Sequence, residues 1–132
     1  MSANRILLVD DNAGFLSGMS LLLRDEGFEV ATAEDGSETV EAMAYGKPDL
    51  ILMDILFSPA FEQDHKLDWD GFRIINWIRC VKGDANTPPV LFLTGAAHVE
   101  YVERVRNAGG IGVFEKTVGT AELMELIHCL LD

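Results

Sequence analysis

The sequence predicts an α/β fold, a doubly wound five-stranded parallel sheet, on three observations. Short apolar runs alternate along the chain with stretches of helical periodicity. The runs are nearly unbroken in Val, Ile and Leu, as strands buried on both faces require. With 132 residues and 48% hydrophobic composition, the chain forms one core and one domain, residues 1–132. Strand then helix, repeated five times, gives parallel strands joined by right-handed crossovers, with helices on both faces.

The first strand is Ile6–Val9, ending at Asp10-Asp11. A helix over Ala13–Glu26 places Phe15, Met19, Leu22 and Leu23 on one face, and Gly27 stops it. Phe28–Thr32 is a second strand with more alternation. Asp35 and Glu38 stand three apart at the head of Ser37–Tyr45, the spacing of a capping box, and Gly46 and Pro48 close that helix. Leu50–Met53 is the third strand; Phe72–Val81 carries Ile74, Ile75 and Ile78 on a helix; Val90–Leu93 is the fourth strand. Val99, Val102 and Val105 mark a thinner helix that exits at Ala108-Gly109-Gly110, before the weakest strand, Gly112–Phe114. The last helix is the clearest, with Leu123, Leu126, Ile127, Leu130 and Leu131 on one stripe and Thr120 as its cap.

Composition excludes several functions. Ten basic against 22 acidic residues give a formal charge of −12, which repels phosphate backbones, so no direct nucleic-acid binding is expected. No apolar run nears the ~18 residues of a membrane span, and Met-Ser-Ala-Asn-Arg before four apolar residues is no signal peptide. Cys80 and Cys129 fall in helix-like apolar patterns and read as reduced, buried thiols of a cytoplasmic protein. Asp64, His65 and Asp68 lack the ligand spacing of a metal site. Gly109-Gly110-Ile111-Gly112 has no strand before it and no helix after it, so it is a helix exit and not a phosphate cradle. Trp69 and Trp77 are packing residues, His128 lies among the apolar positions of the last helix, and His98 sits at a helix start.

In a doubly wound sheet, ligands bind at the carboxyl ends of the strands. The residues there are Asp10, Asp11, Asp54, Thr94 and Lys116. Singly, each has an ordinary role: a helix cap for Asp10 or Asp11, a strand-end carboxylate, a turn hydroxyl, a solvated ammonium. Together they differ. Three carboxylates at one edge disfavour joint ionisation, and a hard cation such as Mg²⁺ relieves the repulsion. A hydroxyl and an ammonium at the same edge suit phosphoryl oxygens. The set reads as a carboxylate nucleophile, a metal and two charge-stabilising donors.

Ile-Leu-Leu-Val-Asp10-Asp11-Asn12, Leu-Ile-Leu-Met-Asp54, Leu-Phe-Leu-Thr94-Gly95 and Val-Phe-Glu-Lys116 resemble the receiver domain of two-component response regulators, over essentially the whole chain. The resemblance implies a flavodoxin-like (βα)5 fold with strand order 2-1-3-4-5. It implies that Asp54 accepts a phosphoryl group from a histidine kinase or histidine phosphotransfer protein. It implies Mg²⁺ held by Asp11, Asp54 and the Leu56 carbonyl, with Asp10 assisting, and phosphoryl oxygens held by Thr94 and Lys116. The chain is then a regulatory domain and not an enzyme in its own right, promoting its own phosphoryl transfer and a slow autodephosphorylation. It signals through an unknown downstream protein, and phosphorylation-dependent dimerisation is a further form of output.

The sequence departs from the family at four places. Thr117 follows the lysine where the family usually has Pro, and a trans link is expected there. Val113 replaces the aromatic switch residue. The loop between Asp54 and Asp70-Gly71 is longer than the family's, an insertion at about 57–69 that is either a tolerated surface loop or a partner contact or cover over the site. Leu56 and Ala96 stand where the family contacts the hydrolytic water, and neither side chain can orient it, which implies a long-lived phospho-form. Two other readings fit parts of the pattern. An aspartate-dependent phosphatase wants a second acid two residues past its nucleophile, where Asn12 stands after Asp10. A receiver-like interaction module working without phosphorylation draws on Val113 and Thr117. The last helix closes at Leu131-Asp132, so output passes through protein contacts, or the chain is a piece of a longer protein.

Overall fold

A computed structural model describes residues 4–55, 71–83, 86–95, 99–116 and 119–131, without the side chains of 99–102. Five strands, β1 (Arg5–Val9), β2 (Glu29–Ala33), β3 (Leu50–Asp54), β4 (Val90–Thr94) and β5 (Gly112–Glu115), alternate with five helices. These are α1 (Ala13–Asp25), α2 (Gly36–Tyr45), α3 (Gly71–Lys82), α4 (Val99–Asn107) and α5 (Thr120–Leu131). All strand pairs are parallel and the order is β2-β1-β3-β4-β5, as the sequence led us to expect. The order reverses between β1 and β3, which opens a crevice at their carboxyl ends.

Side chains alternate across a strand, and the core divides accordingly. Ile6, Leu8, Leu50, Leu52, Leu91 and Leu93 pack under α1 and α5, against Leu16, Met19, Leu23, Leu123, Met124 and Ile127. Leu7, Val9, Ile51, Met53, Val90 and Phe92 pack on the other face against Met43, Ile74, Ile75, Ile78 and Val105 of α2, α3 and α4. Every residue of β3 and β4 is buried, which explains their unbroken apolar sequence.

The chain turns are built locally. Gly27 (φ 96°) follows α1, its N–H bonds to the Arg24 carbonyl, and the Phe28 N–H bonds to Leu23. Gly109 (φ 77°) and Gly110 close α4 in the same way on Arg106 and Val105, so the glycine run is a helix exit. Asp35 caps α2 by accepting the Glu38 N–H at 2.8 Å. Glu38 reaches back to the Glu34 N–H rather than to Asp35 itself, so the capping box is displaced by one residue.

Several local expectations are corrected. The buried stripe of α1 is Leu16, Met19 and Leu23, while Leu22 is exposed, because the helix is rotated towards Leu16. Cys80 and Cys129 are exposed free thiols: each lies two residues past a buried isoleucine (Ile78, Ile127), hence on the opposite side of its helix. Trp77 is partly exposed, and Leu130 is outside the core. Thr120 is the first residue of α5; the Gly119 carbonyl accepts the Glu122 and Leu123 N–H groups, so Gly119 occupies the capping position. Leu56, the 57–69 insertion, Trp69, Ala96, His98 and Thr117 lie outside the described residues.

Candidate functional site

The sheet ladder continues past the strand ends and sets the site. The Asp10 N–H bonds to the Ala33 carbonyl at 3.0 Å, Ile55 to Leu93 at 3.0 Å, and Lys116 to Thr94 at 2.8 Å. The polar residues therefore hold strand alternation. Asp10, Asp54 and Lys116 lie in step with Leu8, Leu52 and Phe114 on the α1–α5 side, whereas Thr94 lies in step with Phe92 on the α3–α4 side. Thr94 is buried at the last residue of β4, and Asp54 at the last residue of β3.

Three of the expected residues form one cluster: oxygens of Asp10, Asp11 and Asp54 all lie within 4.8 Å of one another. Asp10 is fully buried and Asp54 is 5% exposed. Lys116 joins them, its Nζ bonded to Asp10 Oδ2 and 3.5 Å from Asp54 Oδ1. Neither Asp10 nor Asp11 caps α1. Asn12 does, its Oδ1 accepting the Phe15 N–H at 3.0 Å, while Asp10 Oδ1 accepts the Asn12 N–H at 2.9 Å. A short polar side chain two residues on has taken the cap and left the acids to the crevice.

Two contributors were not read as site residues from sequence. The Phe15 ring lies under the Lys116 ammonium, 4.5 Å from Nζ to the centroid. Gly71 donates its N–H to the Ile55 carbonyl at 3.0 Å, and a Cβ there would overlap the Asp54 carbonyl, so only glycine lets α3 start against β3. An acidic-Gly pair was visible in the sequence, but the close approach that demands the glycine was not. Thr94 neighbours a stack on its own side: Phe92 and Phe72 rings are 4.7 Å apart, with the Arg104 guanidinium 4.2 Å over Phe72.

The donor set fits Mg²⁺. Mg²⁺ takes oxygen ligands at about 2.0–2.1 Å, and three carboxylates whose oxygens lie within 4.8 Å of one another would serve as such ligands. One ammonium cannot neutralise three carboxylates, and a divalent cation supplies the missing charge.

Residues 6–128 match the response regulator receiver domain family. The sequence is 30% identical over 131 residues, 99% of this chain, to the transcriptional regulatory protein PrrA of Mycobacterium tuberculosis. It is 30% identical over 125 residues to the transcriptional regulatory protein PdtaR of the same organism. The chain spans about half the length of these curated relatives, 51% and 55%. A solved CheY-like receiver domain protein from Methanospirillum hungatei is similar with a TM-score of 0.82 and 27% identity, covering 99% of this chain and 95% of that one. Response regulator TrrA of Thermotoga maritima, solved in complex with Mg(2+)-BeF, is similar with a TM-score of 0.76 and 26% identity, over 96% of this chain and 98% of that one.

Proposed function

The chain belongs to the response regulator receiver family, and on that premise we propose that it is a phosphorylation-dependent signalling switch. Asp54 accepts a phosphoryl group from a histidine kinase or histidine phosphotransfer protein, and the signal passes on through protein contacts. The observation that carries this reading is the convergence of Asp10, Asp11 and Asp54 with the Lys116 ammonium at the carboxyl end of the sheet.

A carboxylate oxygen of Asp54 attacks the phosphorus of the phosphohistidine. The new O–P bond forms an acyl phosphate as the P–N bond breaks, and the imidazole leaves with the electron pair. The leaving group is good, so the protein contributes mainly orientation and charge compensation. Burial at the strand end fixes Asp54 and limits its rotamers. Lys116 carries positive charge to where phosphoryl oxygens arrive, and Thr94 offers its hydroxyl from the other side. Asp11, Asp54, the Leu56 carbonyl and Asp10 would hold Mg²⁺, which when bound neutralises the carboxylates and the incoming phosphoryl oxygens. Drawing the Thr94 hydroxyl towards the phosphoryl group shifts the β4–α4 connection and biases α4 between two positions.

The test is incubation with Mg²⁺ and acetyl phosphate, followed by intact mass and peptide mapping. The expected result is one added phosphoryl group on Asp54, absent in Asp54→Asn and after chelation. No gain in the wild type contradicts the reading and leaves a phosphorylation-independent interaction module in its place.

A further inference from the structure

Lysine is a poor candidate for a fixed catalytic charge. Its ammonium is a compact point charge on four rotatable carbons, and holding it in one place costs rotamer freedom. In this chain the acid cluster attracts Lys116 from one side only, and attraction to three carboxylates does not by itself select one position among them.

The contacts around Lys116 form a closed circuit. Asp10 Oδ1 accepts the Asn12 N–H at 2.9 Å. Asn12 Oδ1 accepts the Phe15 N–H at 3.0 Å, which fixes the first turn of α1. The Phe15 ring faces the Lys116 Nζ at 4.5 Å. The Nζ returns to the second oxygen of the same Asp10 and stands 3.5 Å from Asp54. One carboxylate thus directs both the backbone that places the ring and the ammonium that the ring supports. The ammonium is held between a negative aromatic face and two carboxylates, with its side chain only 21% exposed.

We propose that Phe15 and Asn12 are positioning residues for phosphoryl transfer, with Phe15 holding the Lys116 ammonium beside Asp54 and Asn12 placing the ring. The inference rests on the function proposed for Lys116 above. With the ring in place, the ammonium is presented to the phosphoryl oxygens before the donor arrives; without it, the stem samples other rotamers around the cluster and fewer encounters are productive.

The test compares Phe15→Leu, Phe15→Tyr, Lys116→Met and the Phe15→Leu/Lys116→Met pair, with acetyl phosphate and saturating Mg²⁺, scored by intact mass. Leu keeps apolar volume and removes the aromatic face. Phe15→Leu is expected to lower the maximal transfer rate about 5-fold, within the 2- to 30-fold span of cation–π contacts, leaving donor half-saturation unchanged. Phe15→Tyr restores the rate to within about twofold, and Phe15→Leu has no further effect once Lys116 is Met. Asn12→Ser, which retains the cap, keeps the rate; Asn12→Ala lowers it. An equal loss from Phe15→Leu in both lysine backgrounds means a general disturbance of α1 and overturns the proposal. Independently of transfer, the Lys116 Cε protons are expected upfield in wild-type NMR spectra and at ordinary shifts in Phe15→Leu. No upfield shift in the wild type overturns it. A wild type that takes no phosphoryl group overturns the switch reading and the rate-based part of this inference, and the ring-current shift then separates that outcome from a failed contact.

Discussion

The two faces of the sheet are equally apolar yet carry different chemistry. Under α1 and α5 the strands contribute mainly leucine and isoleucine, and the strand alternation that carries Leu8, Leu52 and the half-buried Phe114 brings Asp10, Asp54 and Lys116 out at the crevice on that side. Under α3 and α4 the same alternation ends in Thr94, beside a stack of Phe92, Phe72 and Arg104 that ties β4 to both helices. Arg79 of α3 adds a second tie, donating to the Ala108 carbonyl at the end of α4. In the proposed switch, one face therefore holds the charges that take part in phosphoryl transfer. The other holds the hydroxyl proposed to respond to the phosphoryl group, beside the contacts that join β4 to α3 and α4. A residue's place in the alternation, more than its place in the chain, decides which part it plays.

The sharpest way to break this division concerns lifetime. Leu56 follows Asp54 and Ala96 follows Thr94 by two positions, one beyond each half of the site. Groups that orient an attacking water are worth ~10²–10⁴-fold. The wild-type phospho-form is expected to decay over roughly tens of minutes or more, the absence of such groups leaving only charge stabilisation. Leu56→Asn with Ala96→Glu should accelerate decay in Mg²⁺ by about 10²-fold, read by intact mass over time. Decay within seconds in the wild type, or no acceleration in the double variant, contradicts this.

The next effect is on stability. Phe92→Ala should cost about 3–5 kcal/mol and Leu52→Ala about 2–5 kcal/mol in urea unfolding. The comparison is sharpened by their partners: only Phe92→Ala should also weaken the effect of a second change at Phe72, since the rings touch. The smallest effect is Arg104→Met. It should cost about 0.5–1 kcal/mol, leave phosphorylation of Asp54 unchanged, and reduce the response of α4 measured below.

Most of this architecture is written in the sequence. Runs such as Leu-Ile-Leu-Met-Asp54 and Val-Leu-Phe-Leu-Thr94 are strands because they are buried on both faces, and their ends mark the crevice. What periodicity left open was helix phase. A two-residue step turns a side chain roughly 200° round a helix, so Cys80 and Cys129 fell on the exposed side although each sits among apolar residues. The choice of Leu16 over Leu22 in α1 is the same ambiguity, settled by the sheet it packs on. The site residues were legible because strand ends gather them. The ring of Phe15 under Lys116 was not, because it depends on the cap that turns α1 and joins residues about a hundred positions apart in sequence.

The division between faces is tested most directly by NMR amide shifts on adding beryllofluoride and Mg²⁺ to the wild type and to Thr94→Ala. In the wild type, changes are expected at Asp10, Asp11, Asp54 and Lys116 and onward through α4 and Phe72, with Leu16, Leu23, Leu123 and Ile127 little affected. In Thr94→Ala the changes at the acids should persist while those in α4 fall away. Equal changes on the two faces, or an α4 response that survives loss of the Thr94 hydroxyl, would contradict the account.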